Sequence, residues 1–212
     1  MKNILPLVAF VIGCSKVTAP EPIKVVRSTL TITNSTNKPT NVFFAFGADS
    51  VVLPVDWPLC SATAKLNCSL TVQANSSLEL PLSGDYLNAS LSFDAPVSCG
   101  STKAELNLNN PRWYDVADIS LVDGYSKPIK IQIDDKTLGP VTSENGNQKA
   151  YGVYPLGCDV CVARQIPPCG IPLGNTECKS GSQYSPDVPC QHQGTVMGGG
   201  SKVTVYLLPT VN

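Results

Sequence analysis

The strongest constraint on this chain is a period-two alternation that brackets a run of acids between residues 104 and 133. On one side Leu106 and Leu108 alternate with Glu105 and Asn107; on the other Ile129, Ile131 and Ile133 alternate with Lys130, Gln132 and Asp134. Successive side chains of a strand point to opposite faces, so each run predicts a half-buried strand with one apolar and one polar side. Between them lies Trp113-Tyr114-Asp115-Val116-Ala117-Asp118-Ile119-Ser120-Leu121-Val122-Asp123-Gly124-Tyr125, closed by an Asp-Gly turn. Asp118 and Asp123 are an odd number of residues apart, which puts them on opposite faces of an unbroken strand. They share a site only if the strand ends or bulges near Gly124. Glu105 joins them from the neighbouring strand.

The rest of the sequence fits the same architecture. Its 212 residues suffice for one domain with a real core, and 16 Gly and 18 Pro without helical periodicity indicate an all-β fold. Alternating or apolar runs predict strands at residues 29–33, 42–46, 69–74, 78–82, 87–93 and 202–209, with a turn at 34–41 and a loop at 134–150. Residues 49–68 read as an irregular insertion carrying Trp57, which Cys60 and Cys68 would close with a local bridge. A net charge of −1 and the lack of any Lys/Arg cluster argue against a nucleic-acid partner.

Residues 1–13 read as a signal peptide: Lys2 is the positive end, and the apolar run 4–12 is too short to span a bilayer. Val11-Ile12-Gly13-Cys14 resembles the lipobox of bacterial lipoproteins, which implies lipid on Cys14 and a tether over 14–26. The competing reading is an ordinary secretory signal cut near Cys14 or Ala19. Localisation is then outside the inner membrane, either lipid-anchored at the outer membrane or cell surface, or freely secreted. The chain holds nine cysteines; setting Cys14 aside leaves an even eight, a disulfide set in an exported protein. Cys158-Asp-Val-Cys161 is an isolated CxxC and His192 is the one histidine, so neither a metal nor another cofactor is expected.

The residues Glu105-Leu-Asn-Leu-Asn109, Tyr114-Asp-Val-Ala-Asp-Ile-Ser-Leu-Val-Asp-Gly-Tyr125 and Pro128 resemble the signature of the thaumatin-like family. The resemblance implies a thaumatin-like β-sandwich over 27–212, with a small disulfide-rich lobe at about 151–192. It implies the bridges Cys161–Cys190 and Cys169–Cys178; Cys99 and Cys158 lack their family partners and are left to each other. The family's bridge between the first hairpin and the C-terminal strand is missing, with Ser35 near one place and Leu207-Leu208-Pro209 at the other.

The family carries an Arg, a Glu and three Asp in a cleft associated with β-1,3-glucan. Carried over, the Glu is Glu105 and two of the Asp are Asp118 and Asp123, with Asp115 nearby. The Arg has no counterpart in 84–90, and the last Asp is replaced around Cys190-Gln191-His192. A binding module would use these carboxyls as acceptors for sugar hydroxyls, with Trp113, Tyr114 or Tyr125 stacking on rings. A weak endo-β-1,3-glucanase would use Glu105 as acid with Asp123 or Asp118 as its partner. A defence or effector protein acting on competitor walls or membranes is a third reading. Whether the protein is an enzyme stays open, with binding preferred; a monomer with a glycan ligand is expected. Against these stand structural roles: Asp123 organising its turn, Glu105 solvated on a strand, Trp57 and Trp113 anchoring core or loops.

Overall fold

The computed structural model describes residues 27–98, 101–120, 125–141 and 191–210. The strands are β1 (Thr29–Asn34), β2 (Thr40–Phe46), β3 (Ser61–Ala64), β4 (Asn67–Val72), β5 (Ser76–Leu80) and β6 (Leu87–Phe93). They continue as β7 (Lys103–Leu108), β8 (Tyr114–Ser120), β9 (Ile129–Ile133), β10 (Lys136–Val141), β11 (Gln191–Met197) and β12 (Lys202–Leu207). A five-stranded sheet, ordered β10-β9-β12-β1-β5, packs on a seven-stranded sheet, ordered β11-β8-β7-β6-β2-β4-β3. The fold is an all-β sandwich.

Alternation builds the core. Leu30, Ile32, Ile129, Ile131, Ile133, Val203 and Val205 of the smaller sheet are essentially inaccessible, as are Val42, Phe44, Leu87, Leu91, Ala104, Leu108 and Ala117 of the larger. These positions are rich in β-branched and aromatic residues, which suit a pleated, one-side-buried surface. Neighbouring strands are antiparallel except for β1 and β12, which run parallel with Asn34 opposite Leu207. The Ser35 N–H donates to the Leu207 carbonyl at 2.9 Å, so the end of β1 and the end of β12 lie side by side.

Three stretches differ from the sequence reading. Residues 136–141, expected in a loop, form β10 on β9, because a hairpin at Asp134-Asp135 returns the chain onto the isoleucine strand. His192, expected in a loop, lies on β11 opposite Ala117 of β8. Residues 49–68 are more ordered than an irregular insertion: Trp57 is buried against Phe44 and Phe46, with ring centroids 4.9 and 5.1 Å away, and its indole N–H donates to the Pro81 carbonyl at 2.8 Å. The predicted Cys60–Cys68 bridge is present, with Cα atoms 5.5 Å apart, and staples the β3–β4 hairpin to the sheet edge. Loop-closure entropy for so short a ring is worth about 2–3 kcal/mol. The double variant Cys60→Ser/Cys68→Ser is therefore expected to lose about that much in urea denaturation.

Cys14, Cys99, Asp123, Cys158, Cys161, Cys169, Cys178 and Cys190, with the targeting segment, the tether and the lobe up to residue 190, lie outside the described residues.

Candidate functional site

Register decides which acids meet. Across β6, β7 and β8 one row reads Ser90, Glu105, Asp118, each the direct partner of the next. The adjoining row reads Asn88, Asn107, Val116. Lys103 is two residues before Glu105 on the same strand face, its Nζ 3.1 Å from Glu105 Oε1. The outward face of the seven-stranded sheet thus carries a polar strip. A groove of about 390 Å³ runs along it, lined by Asn88, Ser90, Glu105, Asn107, Trp113 and Asp118 among others.

The amides of this groove are fixed. Asp49 accepts from Asn88 Nδ2 at 2.7 Å and from the Tyr86 hydroxyl at 3.2 Å. The Tyr86 hydroxyl accepts from Asn107 Nδ2 at 2.7 Å, and Asn107 Oδ1 accepts from Asn110 Nδ2 at 3.2 Å. The Asn88 contact, foremost, holds the Asp49 carboxyl below its ordinary range. At one end stands Trp113, half exposed, its ring edge-on to Tyr114 with centroids 5.9 Å apart. A fixed set of donors and acceptors beside an exposed indole offers hydrogen bonds and a flat apolar face to one ligand.

The two groove acids are unequal. Burial, and after it the negative Glu105, pushes the Asp118 carboxyl up to about 8, with Lys103 pulling weakly the other way. Asp118 Oδ1 is buried without a hydrogen-bond partner among the described residues. At neutral pH the Asp118 carboxyl therefore keeps its proton.

Other predicted residues go elsewhere. Asp115 is three positions from Asp118, so it faces the opposite side of β8 and is completely buried. Its Oδ1 accepts from the Asn109 N–H at 2.6 Å; its Oδ2 accepts from the Ser201 N–H at 3.0 Å and the Ser28 hydroxyl at 2.5 Å. Asp115 does not line the groove; it ties the β7–β8 turn to the chain leading into β1 and β12. Gly199 sits in this knot at φ 124°, where a Cβ would lie 2.3 Å from Asn109 Oδ1. Tyr125 packs against the hydrophobic core, and that burial raises its hydroxyl's pKa. Lys103, Asn88, Asn107 and Asn110 were not singled out in the sequence. Their parity with Glu105 along β7, and the antiparallel pairing of β6, was the signal that could have found the first three.

Among the described residues no group of three or more His, Cys, Asp or Glu side chains is placed to hold a metal ion. No protein-family model and no curated protein matches the sequence. Among solved structures, a thaumatin-like xylanase inhibitor aligns with 85% of this chain and 99% of its own, at 11% identity and a TM-score of 0.44, too distant a likeness to bear on function.

Proposed function

We propose that this chain is an exported thaumatin-like module that binds a β-glucan-type glycan in the groove on the seven-stranded sheet, held to a membrane by lipid on Cys14. What carries the reading is the half-exposed Trp113 at the end of a strip where two carboxyls, Glu105 and Asp118, lie beside asparagine amides locked by hydrogen bonds. Sugars present hydroxyls around their rim and C–H groups on their faces, and fixed polar groups beside an aromatic plane match both. Laminarin is the probe: titration is expected to show saturable binding. Trp113→Ala should weaken it at least tenfold, about 1.4 kcal/mol. A wild-type protein that gives no heat and no change in tryptophan emission with laminarin would overturn the proposal. Palmitate incorporation, lost in Cys14→Ala, tests the anchor.

A hydrolytic reading is favoured by one observation, the protonated Asp118 beside Glu105 on the next strand. Glycoside cleavage needs one carboxylic acid for the leaving oxygen and one carboxylate as base or nucleophile. If the protein is an enzyme, reducing ends appear from laminarin, and either Asp118→Asn or Glu105→Gln stops their release. Binding without release in the wild type leaves the module reading in place.

A further inference from the structure

The groove's amides have a fixed sense of hydrogen bonding, and a residue outside the groove sets part of it. Asn88 of β6 lies directly opposite Asn107 of β7. A side-chain amide is an acceptor at one end and a donor at the other, so its orientation decides what a ligand meets. Asp49 is ionised at neutral pH, since the Asn88 contact, foremost, holds its carboxyl below the ordinary range. An ionised carboxylate only accepts. Its Oδ1, 2.7 Å from the Asn88 side chain, therefore demands the NH2 end of that amide. The Asn88 carbonyl oxygen is turned away from Asp49 and has no hydrogen-bond partner among the described residues.

The same carboxylate closes a one-way chain. It begins at the Arg112 backbone N–H, which only donates and lies 3.0 Å from Asn110 Oδ1. Asn110 Nδ2 then donates to Asn107 Oδ1, Asn107 Nδ2 to the Tyr86 hydroxyl, and that hydroxyl to Asp49 Oδ2. Burial, foremost, pushes the Tyr86 hydroxyl's pKa up, so its proton stays in place to be donated. Asn107 is thus oriented from both ends of the chain. The Asn88 side chain, among the described residues, is oriented by Asp49 alone.

Asp49 is exposed, yet the backbone around it is pinned to β6. The Gly47 N–H donates to the Asn88 carbonyl at 2.8 Å, the Asn88 N–H to the Ser50 hydroxyl at 3.2 Å, and the Val51 and Val52 N–H groups to the Tyr86 carbonyl at 2.8 and 3.0 Å. Gly47 also leaves room for the contact: a Cβ there would lie 2.6 Å from Asn88 Nδ2 and 2.8 Å from Asp49 Oδ1. Neither Asp49 nor Tyr86 lines the groove, whereas Asn88, Asn107 and Asn110 do.

We propose that Asp49 is a positioning residue: from outside the groove it turns Asn88 so that the carbonyl oxygen meets the ligand, and the groove therefore selects a ring that donates a hydroxyl there. The inference rests on the glycan reading of the groove and names a residue that tunes it. Asp49→Asn keeps the shape but replaces one acceptor oxygen by a donor. That donor must face either Tyr86 or Asn88. The Tyr86 branch is held from the Arg112 end, so Asn88 is the one that reverses, and a donor replaces the acceptor in the groove.

The test measures laminarin affinity, urea stability and the Asn88 side-chain NH2 resonances in the full chain. Asp49→Asn should weaken laminarin binding about tenfold, the effect of one misdirected polar group, at an unchanged urea midpoint, and should shift the Asn88 NH2 signals. The exchange Asp49→Asn/Asn88→Asp puts an acceptor oxygen at both ends of residue 88 and should restore affinity. Asp135→Asn, an exposed carboxylate on the other sheet, removes the same charge and should do nothing. Full affinity in Asp49→Asn with unmoved Asn88 signals overturns the proposal. So does a loss of affinity that tracks a loss of stability and is not recovered by the exchange. Wild-type protein that ignores laminarin ends the β-glucan reading instead; the Asn88 signals then decide, their shift in Asp49→Asn supporting the positioning role and their constancy overturning it.

Discussion

Raising the pH from about 4 to about 8 is expected to weaken the folded state by several kcal/mol through Asp118 alone. The unfolded carboxyl ionises near 3.8, whereas in the fold burial and Glu105 hold it protonated up to about 8. Below the lower value both states carry the proton, and Asp118 makes no difference. Between the two values the folded protein binds more protons than the unfolded chain, so stability falls as pH rises, by up to about 1.4 kcal/mol per pH unit. Above the upper value the loss is complete. Asp118→Asn keeps the shape and removes the titration. Urea denaturation near pH 4, 6 and 8 should show the variant gaining steadily on the wild type. Parallel pH profiles for the two proteins would show that the Asp118 carboxyl is not held neutral, and the acid role in any hydrolysis would go with it.

Asp115→Ala is expected to cost about 3–5 kcal/mol, on a fold whose whole stability is of the order of 10. The substitution strands two buried backbone N–H groups, those of Asn109 and Ser201, and the Ser28 hydroxyl, by removing the acceptor they share. It also loosens Asn109, which accepts from Ser28 N–H at 3.0 Å and whose amide donates to the Asp85 carbonyl at 3.2 Å. Glu79→Ala, on the exposed face of β5, is the control and should change little. If Asp115→Ala matches that control in urea, the knot is not what joins the sheets at this end. The two aspartates thus have opposite energetic signs although they share a strand.

That contrast explains how far the sequence could be read. Strands with their own alternation, such as β6, β7 and β9, were legible to the residue or nearly so, since a buried face demands apolar residues at every second position. β11 was not: Gln191-His192-Gln193-Gly194 has no such pattern, and its strand character comes from pairing with β8. β10 was hidden by Gly139-Pro140 within a polar stretch. For the site, the pairing of Glu105 with Asp118 followed from spacing and resemblance. Asp115 was placed with them because it is close in sequence. Its odd distance from Asp118 already put it on the other face, but nothing in the local pattern announced that a carboxyl would be accepted in the interior. The partners that make it acceptable lie at Ser28, Asn109 and Ser201, far apart along the chain. Lys103 puts a positive charge beside Glu105 from two residues earlier on the same strand, and alternation alone does not single out one lysine on a polar face as an acid's partner.

The parallel embrace of β1 and β12 bears on how such a chain is delivered. Thr29 aligns with Lys202 and Asn34 with Leu207, so one flank of β1 stays open until residues 173 positions further along the chain have followed. Long-range pairing of this kind makes assembly slow. A molecule threaded outward amino end first would stay pliable during passage and snap shut only once β12 has emerged on the far side.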